Sequence, residues 1–391
     1  MVKPASRLGK IPPYLFGEIA RLKAQAIAEG RDLVDLGIGD PDQPTPQPII
    51  DALCRSVTDP ETHRYDETPA GWVPFLEAVA AWYRRRFDVE IDPKKEALLL
   101  IGSKEGLAHL AWAYIEQGDL SLVPDPGYTV YKVNTLMAGG DVYEMPLLRE
   151  NGFLPDLTQI PTDAAKRAKL LFLNYPNNPT GAVAPLSFFN DVVRFAKEHD
   201  LIVAHDCAYS EVYYDDYRPP SFLQAEGAKE VGIELHSLSK TFNMTGWRLG
   251  YAVGNPEVIG VLNKMKSNVD SKQFPAVDLA GAYALEHPEL SRETLALYQR
   301  RRDVLVAGLK RIGFDIEAPQ ASFYIWLPVP SGMTSVEFAK LCLEKAGVLV
   351  IPGNGYGAHG EGYVRMSLTV NGDQNGERME EAVRRLEALG V

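Results

Sequence analysis

Between about residues 95 and 255, short apolar runs without polar alternation recur along the chain, separated by stretches of helical spacing. The runs are Ala97 to Ile101, Leu120 to Val123, Leu170 to Leu173, Leu201 to Ala204, Ile233 to Leu238 and Gly250 to Val253. Runs this short and continuous fit strands buried on both faces, because a sheet with one wet face alternates polar and apolar residues. Helical segments such as Leu186 to His199 lie between them and supply the covering layers. The pattern predicts an α/β fold with a largely parallel sheet. In sheets of that kind, ligands bind in the crevice outside the carboxyl ends of the strands.

After Asn255-Pro256 the spacing turns helical for longer stretches, including Pro288 to Ile312, whose basic run Arg300-Arg301-Arg302 reads as a solvated helix face. From Gly313 onward, Phe323 to Leu327, Val348 to Ile351 and Tyr363 to Leu368 read as strands, with Ser335 to Ala346 and Gly376 to Leu389 as helices. This is a second, smaller α+β unit; the first forty residues match neither block. Charge narrows the possible partners. With 40 Lys plus Arg against 52 Asp plus Glu, the net charge of -12 disfavours bulk attraction to nucleic acid or anionic lipid. Three widely spaced cysteines, Cys54, Cys207 and Cys342, argue against a disulfide framework or a cysteine zinc site. No signal-like apolar segment opens the chain and no window is long and apolar enough to span a membrane, so a cytoplasmic location is expected.

The most informative segment is Ser237-Leu238-Ser239-Lys240-Thr241-Phe242-Asn243-Met244-Thr245-Gly246-Trp247-Arg248. A lysine directly after a buried strand has three fates: neutralisation, ion pairing or covalent use. Hydroxyls at Ser237 and Ser239, with the planar donor Arg248, are suited to a phosphate dianion. An amine beside a phosphate cradle suggests pyridoxal phosphate, which needs a lysine and an acidic partner for its ring nitrogen. Asp206, at the end of Leu201-Ile202-Val203-Ala204-His205, is placed to be that acid, with Tyr209 three residues on as a phenol donor. Taken singly, an N-cap aspartate and a core tyrosine explain the pair as well.

Four further segments follow strand-like runs or lie in one. Asn178 sits in the rigid turn Asn174-Tyr175-Pro176-Asn177-Asn178-Pro179-Thr180-Gly181. The loop Gly102-Ser103-Lys104-Glu105-Gly106 precedes a helix expected near Leu107, whose free amides would seat a phosphate. Tyr128 would lie against a ring or fill the core. Arg365 alternates with Val364 and Met366 and would clamp a carboxylate or pair on the surface. Gly37-Ile38-Gly39 lacks the full dinucleotide fingerprint.

The combination NxxxNPTG, DxxY, SxSK, GxRxG and a late RxS, in that order, resembles the class I aminotransferases of the fold type I pyridoxal-phosphate superfamily, over essentially the whole chain. Within them it is most similar to the LL-diaminopimelate aminotransferases, through Pro12-Pro13-Tyr14-Leu15-Phe16, the segment Leu36 to Pro46, and His236 to Arg248. The resemblance implies that Lys240 is the Schiff-base lysine, Asp206 the partner of the pyridine nitrogen, and Asn178 and Tyr209 the donors to the ring oxygen. It implies that Tyr128 stacks on the ring, that Ser103, Lys104, Ser237, Ser239 and Arg248 surround the phosphate, and that Tyr65 reaches the phosphate of a neighbouring subunit in a homodimer. The substrate would be held by Arg365, with Gly39, Lys104 and Asn178 beside it, Tyr14 on a closing N-terminal segment and Asn268 of the neighbouring subunit at the far end. It further implies a large cofactor domain over residues 45–285 and a small domain from residues 1–44 and 286–391. The reaction expected is ping-pong transamination between LL-diaminopimelate and 2-oxoglutarate. Alanine, aspartate or aromatic aminotransferases and carbon-sulfur β-lyases share the same core residues. Two departures from the diaminopimelate pattern, the loop Tyr65-Asp66-Glu67-Thr68-Pro69-Ala70-Gly71-Trp72 and Leu76 in place of an arginine, bear on the substrate rather than the cofactor.

Overall fold

A computed structural model describes residues 2–11, 15–68 and 70–390. Among them, seven strands form one sheet in the order Ala97–Leu100, Gly250–Gly254, Gly232–Ser237, Ile202–Asp206, Ala168–Asn174, Leu120–Asp125 and Asp141–Pro146. Gly250–Gly254 pairs antiparallel with both neighbours and the remaining pairings are parallel. The sheet is buried on both faces, as the continuous apolar runs require: Leu99, Leu171, Leu173 and Val203 join one core, and Leu98, Leu100, Leu170 and Phe172 join the other. The strand Asp141–Pro146 is absent from the apolar-run pattern because it lies at the sheet edge, where only Met145 is buried.

Strand ends set the site. Six strands point the same way, so Leu100, Asp125, Asn174, Asp206 and Ser237 finish at one edge, and the antiparallel Gly250–Gly254 starts there. The helix after Gly102 is Ser103–Tyr114, which begins four residues before the expected Leu107. Gly102, at φ 74°, turns the chain so that the helix starts directly at the sheet edge.

The smaller unit contains an antiparallel sheet of Ile351–Pro352, Tyr363–Ser367 and Tyr324–Pro328. The expected single strand Val348 to Ile351 is divided: Val348–Leu349 pairs instead with Val34–Asp35, which ties the N-terminal segment to this unit. Ser335 to Ala346, expected as one helix, is an α-helix to Leu341 followed by a wider turn over Cys342–Ala346. The segment from Pro288 opens as a 3-10 turn, and the α-helix proper is Arg292–Arg311.

That helix overturns the expectation of a solvated basic face. Arg301 and Arg302 are buried. Arg301 holds Asp42 through two bonds, Nη1 to Oδ1 and Nη2 to Oδ2, each 2.8 Å. It also donates to the carbonyls of Leu368, Val370 and Asp373. Arg302 donates to Asp215 at 2.8 Å and lies 4.7 Å over the Tyr214 ring. A buried guanidinium is tolerated when its donors are met by a carboxylate and carbonyls at once. Arg301→Met is therefore expected to destabilise the protein by about 3–5 kcal/mol, because Asp42 and three carbonyls lose their donor together. Urea unfolding checks this; a midpoint equal to that of the parent chain would refute it.

Candidate active site

The sheet edge opens into a cavity of about 450 Å3 between the large sheet and the smaller unit. Its wall includes Gly39, Ser103, Lys104, Tyr128, Asn178, Asp206, Tyr209, Ser237, Ser239, Lys240, Arg248 and Arg365, twelve residues singled out by their sequence context. Their gathering follows from the topology, since most of them stand one to four residues beyond a strand end.

Lys240 lies in the short helical turn Leu238–Thr241 that follows the Gly232–Ser237 strand. Its Nζ donates to the Gly39 carbonyl at 3.1 Å. Burial pulls its pKa down to about 8; Asp40 opposes that shift, and Arg365 and Arg248 add to it. A large fraction of the side chain is then a neutral, nucleophilic amine near pH 8.

Asp206 closes its strand and faces the same cavity. Its Oδ2 accepts from the Tyr131 hydroxyl at 2.8 Å, and its backbone carbonyl accepts from Asn174 Nδ2 at 2.7 Å. Burial raises its pKa to about 6, against the Tyr131 hydrogen bond and the fields of His205 and Lys240. Tyr209 shares a hydrogen bond of 3.1 Å with Tyr324, hydroxyl to hydroxyl. Tyr128 stands edge-on to Tyr131, with ring centres 5.8 Å apart.

Asn178 is anchored by its backbone N–H, which donates to Asn174 Oδ1 at 2.7 Å. Its own Oδ1 accepts from Arg365 Nη1 at 2.9 Å, which leaves its Nδ2 as the donor towards a ligand. Arg365 also donates through Nη2 to the Gly37 carbonyl at 2.7 Å and lies 4.1 Å over the Tyr324 ring. The strand arginine is thus buried in the site, not paired on the surface. Gly39 is required here because a Cβ would collide with the Tyr324 ring.

At the other end of the cavity, Ser237 caps its helical turn by accepting from the Ser239 N–H at 3.2 Å. Arg248 adopts a left-handed backbone at φ 56° and donates to the Thr245 carbonyl at 2.8 Å. Its guanidinium packs against Gly102, where a Cβ would stand 2.5 Å from Nη2. Ser103 and Lys104 begin their helix beside it, after the N-cap residue Gly102, which has no side chain to cap the helix.

Two expected residues are not in this cavity. Tyr65 is 81% exposed and lines a separate cleft with Lys272 and Phe274. Asn268 is exposed after the helix Pro256–Ser267, donating to the Lys264 carbonyl at 2.8 Å. Tyr14 lies outside the described residues. Leu76, where the resemblance leads one to expect an arginine, is buried in the core. Sequence reasoning passed over Asn174, Tyr131 and Tyr324. Asn174 carried a signal, as the polar residue ending a buried strand in the quoted turn, whereas the two tyrosines lie in runs of core-like residues.

The cavity fits pyridoxal phosphate on its own chemistry. Asp206 Oδ1 and Ser239 Oγ are buried polar atoms with no hydrogen-bond partner among the described residues, both residues line the cavity, and a carboxylate and a hydroxyl are group types that suit a pyridine nitrogen and a phosphate. A buried amine of lowered pKa, the Tyr128 ring and two arginines, Arg248 and Arg365, complete the lining. These features define a pyridoxal-phosphate enzyme of the aminotransferase type, and the chain belongs to the class I and II aminotransferase family, whose profile matches residues 31–386.

The particular relatives narrow it further. The chain is 55% identical over 386 residues to the LL-diaminopimelate aminotransferase of Moorella thermoacetica, covering 98% of each chain. It is 49% identical over 390 residues to that of Aquifex aeolicus, covering 100% of each. Among solved structures, substrate-bound BacF from Bacillus subtilis superposes with a TM-score of 0.94 at 38% identity, covering 100% of this chain and 98% of that one. A Thermus thermophilus aspartate aminotransferase carrying a single mutation gives 0.90 at 31% identity, covering 100% of each. Among the described residues, no helix is long and apolar enough to cross a membrane.

Proposed function

We propose that this aminotransferase moves an amino group from LL-diaminopimelate to 2-oxoglutarate, with Lys240, Asp206 and Arg365 as its central residues. The observation that carries the proposal is the convergence of a depressed-pKa amine, a buried carboxylate and a buried arginine on one cavity. The diaminopimelate assignment is supported by curated relatives of that name at 49 and 55% identity over nearly the whole chain.

Pyridoxal phosphate, when bound, supplies an electron-poor ring that accepts the electron pair left when the substrate α-carbon loses its proton. Lys240 would hold the cofactor through Nζ, Asp206 would face its ring nitrogen, and Tyr209 and Asn178 would donate to its ring oxygen. Ser103, Lys104, Ser237, Ser239 and Arg248 would surround its phosphate, with Tyr128 against the ring. Arg365 would grip the substrate α-carboxylate with its planar fork, oriented by its bonds to Asn178 and Gly37. That grip would turn the α-hydrogen towards Lys240, whose Nζ, once the substrate amine has displaced it from the cofactor's aldehyde carbon, would take the proton from the α-carbon and deliver it to that aldehyde carbon. Asp206 stays ionised during this transfer, keeping the ring nitrogen protonated. Gly39 and Lys104 border the substrate end.

The same reading makes the working enzyme a cytoplasmic homodimer, with Tyr65 and Asn268 reaching the partner's site from their exposed positions. It also divides the chain into a cofactor domain over residues 45–285 and a small domain from residues 1–44 and 286–391.

The deciding experiment mixes the cofactor-loaded enzyme with single amino acids and follows loss of the visible absorbance of the lysine-bound cofactor. LL-diaminopimelate is expected to give the fastest conversion, and 2-oxoglutarate to reverse it. Faster conversion by alanine, aspartate or an aromatic amino acid would reassign the substrate, and release of ammonia with pyruvate would reassign the reaction to elimination.

A further inference from the structure

The proposed phosphate seat has an acid built into it. Glu105 is the third residue of the helix whose first two residues, Ser103 and Lys104, border the cavity. Its carboxylate folds back under the loop, Oε2 accepting from the Ile101 N–H at 3.0 Å. A negative charge in the first turn favours an isolated helix. Beside a phosphate dianion the same charge repels the ligand that the helix start would attract.

Lys266 answers that charge. It is 1% exposed, a burial that lysine avoids unless it is paired. Its Nζ stands 3.4 Å from Glu105 Oε2 and 2.7 Å from Asp270 Oδ1. Glu105, His109 and Asp270 bring ligand-type atoms within 4.8 Å of one another, as a metal site would, but here the cation is the Lys266 ammonium. Glu105 keeps the loop shaped through Ile101, its Oε1 lies 2.7 Å from His109 Nδ1, and Lys266, shared with Asp270, offsets its charge.

We infer that Lys266 is a positioning residue for cofactor recognition: it neutralises Glu105 beneath the phosphate seat and thereby sets the enzyme's preference for the phosphorylated over the unphosphorylated form of the cofactor. The inference rests on the reading that Ser103, Lys104 and Arg248 hold the phosphate. It is distinct from any contact with the cofactor, since Lys266 belongs to the helix Pro256–Ser267 behind the cradle.

The test uses the full chain stripped of cofactor and measures dissociation constants for pyridoxal phosphate and for pyridoxal, which lacks the phosphate. Lys266→Met should weaken pyridoxal phosphate by about tenfold or more and leave pyridoxal unchanged, the effect of one uncompensated charge about a helical turn away. Glu105→Gln, which keeps an oxygen for Ile101, should shift the ratio the other way. Glu105→Gln with Lys266→Met should return it close to the parent value, and this pair keeps the test open if Lys266→Met alone fails to fold. Equal weakening of both ligands, or a wild-type ratio in Lys266→Met, would refute the counter-ion role. Arg248→Gln separates the two levels. If it lowers the ratio while the Glu105 and Lys266 variants do not, only the counter-ion role fails; if it too leaves the ratio unchanged, the phosphate seat itself is misplaced.

Discussion

Lys240→Ala is expected to lower turnover by about 10^4-fold or more, because one atom both holds the cofactor and shuttles the proton, and each task contributes heavily to rate. The variant should still bind pyridoxal phosphate through the residues at both ends of the cavity, but without the absorbance of the lysine-bound form. Turnover within tenfold of the parent would remove Lys240 from the mechanism. A second readout comes from pH. In the cofactor-free chain, burial lowers the Lys240 pKa from 10.5 to about 8. Below pH 8 the folded and unfolded chains both carry the ammonium, and folding bears the full penalty of burying it. Between 8 and 10.5 the unfolded chain binds more protons, so stability rises with pH across that window and levels off above it. Lys240→Ala should lack this rise. In the parent chain, acylation at Lys240 should likewise become faster as pH passes 8, following the neutral amine.

Much of this site was legible because the polar residues that end buried strands stand out against the apolar runs before them. Asp206, Lys240 and Asn178 were visible in this way, and the sheet order then brings them together. The opposite holds where a residue's meaning depends on distant chain. Arg301 sits in a helix among charged neighbours, and nothing local distinguishes it from a solvated residue; its partner Asp42 is 259 positions away. Tyr131 and Tyr324 are similar cases. Their rings belong to the cores, and only their hydroxyls, reaching Asp206 and Tyr209, have polar work in the site. The helix start at Ser103 was placed late because its signal is the positive φ of Gly102, a backbone property that glycine permits without announcing. The edge strand Asp141–Pro146 escaped because its mostly partial burial, with only Met145 fully buried, breaks the apolar continuity that marked its neighbours.

Asp206→Asn should separate function from folding, because the same burial that makes the carboxylate useful makes it costly. In the cofactor-free chain its pKa is raised from 3.8 to about 6. The folded chain therefore binds more protons between those values, so this group withdraws stability as pH rises through that window, and the full penalty remains at neutral pH. Asparagine is the same size, can accept from Tyr131 and carries no charge. The cofactor-free variant is expected to be at least as stable as the parent at pH 7.5, by up to about 3 kcal/mol, the free energy of a shift of about two pKa units. Turnover should fall by about 10^2- to 10^4-fold, the rate equivalent of losing a buried ion pair at the ring nitrogen. The gain in melting temperature on adding pyridoxal phosphate should shrink for the same reason, since the charge that the ring nitrogen would meet is gone. An asparagine variant that unfolds at lower urea without cofactor, yet turns over normally, would contradict both halves. The carboxylate would then be a folding residue, and the electron-poor ring would need another source of its charge.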